Sequence, residues 1–407
     1  MSRPLIFALC LLLGTAALPA APGEPEDRDA LLRKLAARVE SLETEVRQLR
    51  AEKSRSPRGG GKETIPASES AAPPADATTL HGSFPQLKIR GFGDVDYHWT
   101  DRSGDKNAFQ LGQFDLFITS PLAENVNVLA ETVIEADETG HFGIEIERLL
   151  LQYSPREWFS VAVGRYHTAI GYYSTAYHHG QWLQTAVGRP RIFDFEDGGG
   201  LLPIHNVGVS VSGAIPSGRL GLHYVAEIGN GRRYDPHVAA VQNLADNNSF
   251  KALNLALFAR PDWLPGWQAG ASVYFDRLSE MLLPTVNQTI IAAHVVYVTP
   301  AFEWLTEGVV IRDASDLGTF QTRGFYTQVA RQFGKVRPYA RYQFFDANRR
   351  DPIVQTAGEV GFHQTLSLGV RYDFTDLAAL KLQWDHALDH DDDEARNGLT
   401  LQLSFTF

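Results

Sequence analysis

The last eleven residues, Asn397 to Phe407, place Leu399, Leu401, Leu403 and Phe405 at every second position, with Thr400, Gln402, Ser404 and Thr406 between them. A strand sends alternate side chains to opposite faces, so this segment has one apolar face and one polar face, and it stops on an aromatic residue. Two structures satisfy that pattern: an edge strand of a soluble sandwich, or a strand with lipid on one side and water on the other. The rest of the chain favours the second.

At the other end, Met1-Ser2-Arg3-Pro4 precedes an uncharged run from Leu5 to Leu13 and then small residues and prolines through Pro22. A basic start, a short apolar run and a small-residue zone make a secretory signal peptide, too short to span a bilayer comfortably. Residues 1–20 are read as that signal, with cleavage near Ala17 or Ala20. Cys10, the one cysteine, lies inside it, so the mature chain is expected to hold no disulfide although its compartment permits them. Further on, no stretch approaches the roughly 18 uninterrupted apolar residues of a membrane helix. A mature chain in a membrane must then be a closed barrel, because lipid offers unpaired backbone groups no partner. With 35 Gly, 23 Phe, 14 Tyr, 7 Trp and a mean hydropathy of −0.20, the composition suits a wall of which half faces water.

The formal charge is −11, and all of the excess lies in residues 85–407, which hold 26 basic and 37 acidic residues. Nucleic acid is not a partner for such a surface.

Three regions follow the signal. In residues 28–53, Leu32, Leu35, Val39, Leu42, Val46 and Leu49 alternate spacings of three and four, the a/d seam of a coiled coil. Opposite charges, Arg38 with Glu43 and Glu45 with Arg50, occupy the flanking g and e positions. The run Arg38 to Glu43 looks like the signature of short trimeric coiled coils, and an amphipathic helix lying on its own barrel is the alternative. Residues 54–84 are rich in Ser, Pro, Gly and Ala and read as a flexible tether.

Residues 85–407 carry about sixteen segments of strand character. Leu87 to Trp99, Val126 to Ile134, Val207 to Ile215, Leu253 to Ala259, Trp267 to Phe275, Leu366 to Phe374 and Leu380 to Trp384 are the clearest. Alternation weakens at Phe109 to Ser120, at Leu149-Leu150-Leu151 and at Ala301 to Ile311, which leaves the count open by two. Sixteen membrane strands of roughly 9–11 residues fit the length, with short turns at Ser154 to Glu157, Pro216 to Gly218 and Gly334-Lys335. Trp99, Trp158, Phe159, Trp263, Trp267, Trp304 and Trp384 lie near strand ends, where interfacial girdles form. The fold class is all-β: a transmembrane antiparallel β-barrel of about 16 strands behind a short coiled-coil helix.

The heptads of 32–49, the opening strand Leu87-Lys88-Ile89-Arg90-Gly91 and the ending Leu403-Ser404-Phe405-Thr406-Phe407 together resemble bacterial trimeric porins. They are most similar to the phosphate-selective porin-like group that carries a coiled coil before the barrel. The resemblance implies a sixteen-stranded outer-membrane barrel, three pores per assembly joined through Leu32, Leu35, Val39, Leu42, Val46 and Leu49, and passive diffusion of small hydrophilic solutes. It also implies that the terminal aromatic is an assembly signal and that the coiled coil lies in the periplasm. Phosphate preference in those relatives rests on basic arrays. The acidic balance here points instead to weak cation preference, or to a neutral or small-acid solute.

The longest segment without clean alternation, His167 to His205, holds the candidate site: Tyr172, Tyr173, His178, His179, Trp182, Arg189, Arg191, Asp194, Glu196 and Asp197. It is too aromatic to be disordered. In porins such a loop enters the lumen and narrows it; an extracellular cap or a subunit contact is the alternative. Arginines a few residues from acids set up a transverse field across a narrow pore, and the aromatics offer stacking faces or simply pack the loop to the wall. On the strands, Glu131, Glu135, Glu145 and Glu147 share one parity, as do Arg337, Arg341 and Arg371. An Arg facing lipid costs about 2–4 kcal/mol at mid-bilayer, which assigns these charges to the lumen.

His386 to Glu394 is dense in oxygen ligands but lacks the spaced Asp and Gly of a calcium loop, so no metal or other cofactor is assigned. No Gly-x-Ser-x-Gly or comparable nucleophile motif occurs, and the chain is not read as an enzyme. An outer-membrane barrel hydrolase and a structural or adhesive envelope barrel are the alternatives to a pore.

Overall fold

The period-two patterning becomes sixteen antiparallel strands in the computed structural model. It describes residues 86–407 except 103, 105–106, 137–139, 178–179, 235–242, 281–283, 358–359 and 390–393. The signal, heptad and tether segments lie outside the described residues, as do His178 and His179. The first eight strands are β1 (Lys88–Thr100), β2 (Ala108–Ala123), β3 (Val126–Ala136), β4 (Phe142–Arg156), β5 (Phe159–His167), β6 (His205–Ile215), β7 (Leu222–Gly229) and β8 (Ala252–Ala259). The second eight are β9 (Trp267–Leu278), β10 (Val286–Val298), β11 (Phe302–Ser315), β12 (Gly318–Arg331), β13 (Val336–Ala347), β14 (Gly361–Thr375), β15 (Ala378–Asp389) and β16 (Glu394–Thr406). Each pairs with its neighbours in sequence, and β1 pairs with β16 to close the cylinder. Closure leaves no unpaired sheet edge.

The terminal strand makes the seam. Val95, Tyr97 and Trp99 stand opposite Leu403, Leu401 and Leu399. Those three leucines are 38–39% exposed on the outer surface, whereas Thr400, Gln402 and Ser404 are buried toward the inside. At the very end, Gly91 and Phe407 exchange backbone hydrogen bonds of 2.9 and 3.0 Å. A Cβ on Gly91 would stand 2.0 Å from the Phe407 ring, so glycine alone lets the last aromatic lie across β1.

Both ends of the barrel chain, β1 and β16, meet at this rim, here termed the terminal end. Connections there are short, such as 124–125, 157–158, 299–301 and 376–377; those at the distal end include 168–204, 230–251 and 348–360. Trp158, Trp263, Trp267 and Trp304 lie along the terminal end from β5 to β11, where Trp267 stacks on Tyr297 and meets Trp304 edge-on. Toward the distal end, Trp99 and Trp384 both stand opposite Leu399. Between the two ends the outward positions are apolar, for example Leu253, Leu255 and Leu257 on β8.

All three segments of weak alternation are strands, and in two of them the weakness has a physical reason. On β4 a bulge puts Glu147 and Arg148 on the same side: Glu131 pairs with Arg148 and Thr132 with Ile146, leaving Glu147 as the extra residue. On β11 the inner face is itself apolar, with Leu305, Val309 and Ile311 fully buried. They belong to a core inside the barrel, built with Tyr274, Ile290 and Tyr326 of the wall and with Ile170, Tyr173, Phe193 and Leu202 of the 168–204 connection. The turn expected at Ser154 to Glu157 begins later, since β4 continues through Arg156.

Candidate functional site

The 168–204 connection lies within the barrel. Its backbone is fixed to the wall by two sets of charged side chains of opposite sign, acids on β7 and β11 and bases on β13 to β15. Acids take the amide hydrogens. Ala169 N donates to Glu227 of β7 at 3.0 Å, and Tyr172 N and Tyr173 N both donate to Glu307 of β11, which also accepts the Tyr326 hydroxyl. Gly171, at φ +71°, passes so close that a Cβ would sit 2.5 Å from Glu307 Oε2. The Thr185 hydroxyl donates to Glu303 at 3.0 Å, beside Gln328 Nε2 at 2.7 Å.

Bases take the carbonyls. Arg341 of β13 donates to Gly188 O and Val187 O at 2.8 and 3.1 Å. Arg371 of β14 donates to Trp182 O and Gln184 O at 2.7 and 2.9 Å, and Lys381 of β15 to Gln181 O and Ala186 O at 2.7 and 3.3 Å. All three cations are buried. A buried charge is costly unless hydrogen-bonded, and here the backbone of the loop supplies charge-assisted partners. Arg341 and Arg371, expected to line the lumen, are buried and occupied by the loop. Arg337 also reaches it, donating to Thr185 Oγ1 at 3.3 Å as well as to Gln332.

The sequence-selected loop residues divide in the same way. Tyr173 is buried in the apolar core, where burial pushes its phenol up to about 12 so that it stays protonated and donates to Gln184 at 2.8 Å. Tyr172 is half-buried and meets His294 of β10, while Trp182 stacks on Phe92 of β1 at 6.5 Å. Arg189 lies over the rings of Phe195 and Tyr173 at 3.9 and 5.0 Å and donates Nε to Phe193 O. Arg191 lies over Phe345 at 5.8 Å, and its amide donates to Gln343. Glu196 is fully buried and accepts from His205 N at 2.8 Å and Asn243 Nδ2 at 3.0 Å. Burial alone would raise its carboxyl. The charge of His205 beside it and the hydrogen bonds from His205 outweigh that and hold it below the ordinary carboxylate range. His205 also stands 2.7 Å from Glu147, tying the loop's end to the β4 bulge. Asp194 is half-buried in the same stretch, and Asp197 ends the set at a short turn, Glu196–Gly198.

On the wall, Glu131 is buried against Arg148, and Glu135 accepts from Gln113 at 2.8 Å. Glu145 is half-buried on the same face as the buried Val133 it pairs with. Sequence reasoning missed Glu227, Glu303, Glu307 and Lys381. Glu303 and Glu307 share a parity with Leu305, but an apolar inner face concealed it. Lys381 stands between Leu380 and Leu382, and that alternation is a readable signal.

Space remains on the other side of the loop. There β5, β6, β8 and β9 present small inward residues, Ser160, Ser212, Ala256 and Ser272, around a cavity of about 500 Å³. A second cavity of about 400 Å³ shares Gln152, Ser160 and Ser212 with it. Among the described residues, no group of three or more His, Cys, Asp or Glu side chains could hold a metal ion.

No family model matches the chain and no curated protein is similar to it. Solved structures are. An anion-selective porin from Comamonas acidovorans superimposes with a TM-score of 0.58 at 11% identity, over 79% of this chain and 100% of the other. The outer membrane channel DcaP of Acinetobacter baumannii gives 0.54 at 11%, over 79% and 97%. OmpF of Salmonella typhi, in complex with daunomycin, gives 0.54 at 13%, over 79% and 98%. The chain has the porin fold. At these identities the likeness extends to a closed sixteen-stranded barrel of the outer-membrane type and to nothing finer.

Proposed function

We propose that this porin-fold barrel is a diffusion channel of the Gram-negative outer membrane, passing small polar solutes or ions beside an inward-folded loop. The observation that carries the reading is the disposition of one closed cylinder: apolar side chains such as Leu399, Leu401 and Leu403 outward, and polar side chains such as Thr400, Gln402 and Ser404 inward. Lipid accepts only such a surface. The terminal end, with its short turns, faces the periplasm. The 168–204 loop narrows the lumen, and its clamped backbone and aromatics set the steric limit. The cavities along β4 to β10 are the remaining path.

The N-terminal segments complete the proposal: a cleaved signal over residues 1–20, a periplasmic trimer-forming coiled coil over 28–53 and a tether over 54–84. The heptad seam from Leu32 to Leu49 supports a homotrimer. Small hydrophilic solutes cross without a chemical step.

Conductance in planar bilayers tests the channel. Purified chain should give stable steps, in triplets for a trimer, and a barrel that never conducts refutes the reading. Reversal potentials in a salt gradient test the loop. Replacing Arg189 and Arg191 by Ala should shift the ion preference; an unmoved potential removes the loop from the selective path.

A further inference from the structure

Most inward charges on this wall are occupied by the loop or by each other. Arg260, just after β8, differs. It borders the 500 Å³ cavity and also a neighbouring one of about 430 Å³ toward the terminal end. Its guanidinium is held on two sides: Nε donates to Gln268 Oε1 at 2.7 Å, and the plane lies 4.9 Å over the Phe258 ring. Each support is itself supported. Gln268 Nε2 lies 2.9 Å from His294 Nε2, and Phe258 stacks on His223 at 5.2 Å with only 10° between planes. Among the described residues, the two Nη groups of Arg260 have no acidic partner. Asp262 is taken up by Arg219 at 3.1 Å, and Glu227 is committed to the loop amide of Ala169 and to Asn254.

An arginine fixed in orientation but lacking a counter-ion presents a ready fork to an incoming planar anion. Side-chain ordering, normally a cost of binding, is already met. Beside it the half-buried Tyr172 ring lines both cavities and offers an apolar face, while Ser212 and Ser272 leave room and hydroxyl groups. We propose that Arg260 anchors a binding subsite for small organic carboxylates, the carboxylate on its two Nη groups and a flat apolar body against Tyr172. The subsite deepens the channel reading and rests on it for the route by which solute arrives.

The test uses the full chain in detergent micelles, with benzoate as probe and benzamide as its uncharged counterpart, each titrated by ligand-observed NMR. Wild type should bind benzoate at least about tenfold more tightly than benzamide, the worth of a charge-assisted pair. Arg260→Gln should abolish that preference, and Arg260→Lys, which keeps charge without the fork, should restore part of it. Equal binding of the two probes to wild type overturns the subsite without any variant having to fold. So does a preference that survives Arg260→Gln. Bilayer conductance separates the two readings: a conducting chain indifferent to benzoate refutes the subsite alone, and a chain that binds benzoate yet never conducts refutes the channel alone.

Discussion

Glu307 gathers three donors on two oxygens: Tyr172 N on Oε2, and Tyr173 N with the Tyr326 hydroxyl on Oε1. Glutamine has the same shape but one acceptor oxygen, with an NH₂ in the other place. In Glu307→Gln the oxygen retains Tyr173 N and Tyr326, since that keeps two bonds, and the Tyr172 amide then faces another donor. Losing a hydrogen bond to a charged acceptor costs about 1.5–3 kcal/mol, and a buried donor left unsatisfied costs about 1–3 kcal/mol. The close approach of Gly171 leaves little room for water to replace the lost acceptor. Because the two costs overlap, about 3 kcal/mol is expected for the docked loop. At about 1.4 kcal/mol per factor of ten, the undocked population rises roughly a hundredfold. Hydrogen exchange at Tyr172 and Tyr173 in the full chain reads that population directly. Their protection should fall by roughly that factor while the β14 amides stay unchanged. Protection within about threefold of wild type would refute the view that this carboxylate holds the loop.

Three further outcomes follow from the same contacts. Arg371→Met removes the donors to Trp182 O and Gln184 O at a net cost of about 2 kcal/mol, once relief from burying a cation is counted. Single-channel current should become noisier, and a quiet trace identical to wild type contradicts the clamp. Glu196 sits below its ordinary value of 4.5 in the folded chain, so its stabilisation is fully present above 4.5 and lost as pH falls through the depressed value. Exchange protection of residues 196–205 should fall as pH drops below 4.5, and Glu196→Gln should remove that acid limb; an identical limb in the variant argues against it. Gly91→Val places a methyl-bearing Cβ in the Phe407 ring, an overpacking worth about 1–3 kcal/mol. The temperature at which the folded band is lost on a gel should drop, and no drop means the ring is not held at the seam.

The barrel was legible because its wall must satisfy two solvents at once. Leu399, Leu401 and Leu403 meet the outside, Thr400, Gln402 and Ser404 the inside, and period two follows from the backbone alone. Strand character at β8, β9 and β14 was readable for the same reason. Legibility failed where a strand faces something other than water: β11 looks apolar on both sides because the folded loop covers its inner face, and the β4 bulge sets Glu147 and Arg148 side by side against the pattern.

What the sequence carried by itself was the period-two pattern of most strands, from which an inward direction was expected for Arg341 and Arg371. It also marked 167–205 as the segment that breaks the rule. Only the tertiary structure decided what those charges do. A carboxylate or guanidinium facing inward looks the same in sequence whether it meets water or a backbone carbonyl. The partner of Arg371 lies 187 and 189 residues away, and only closure of the barrel brings the two together.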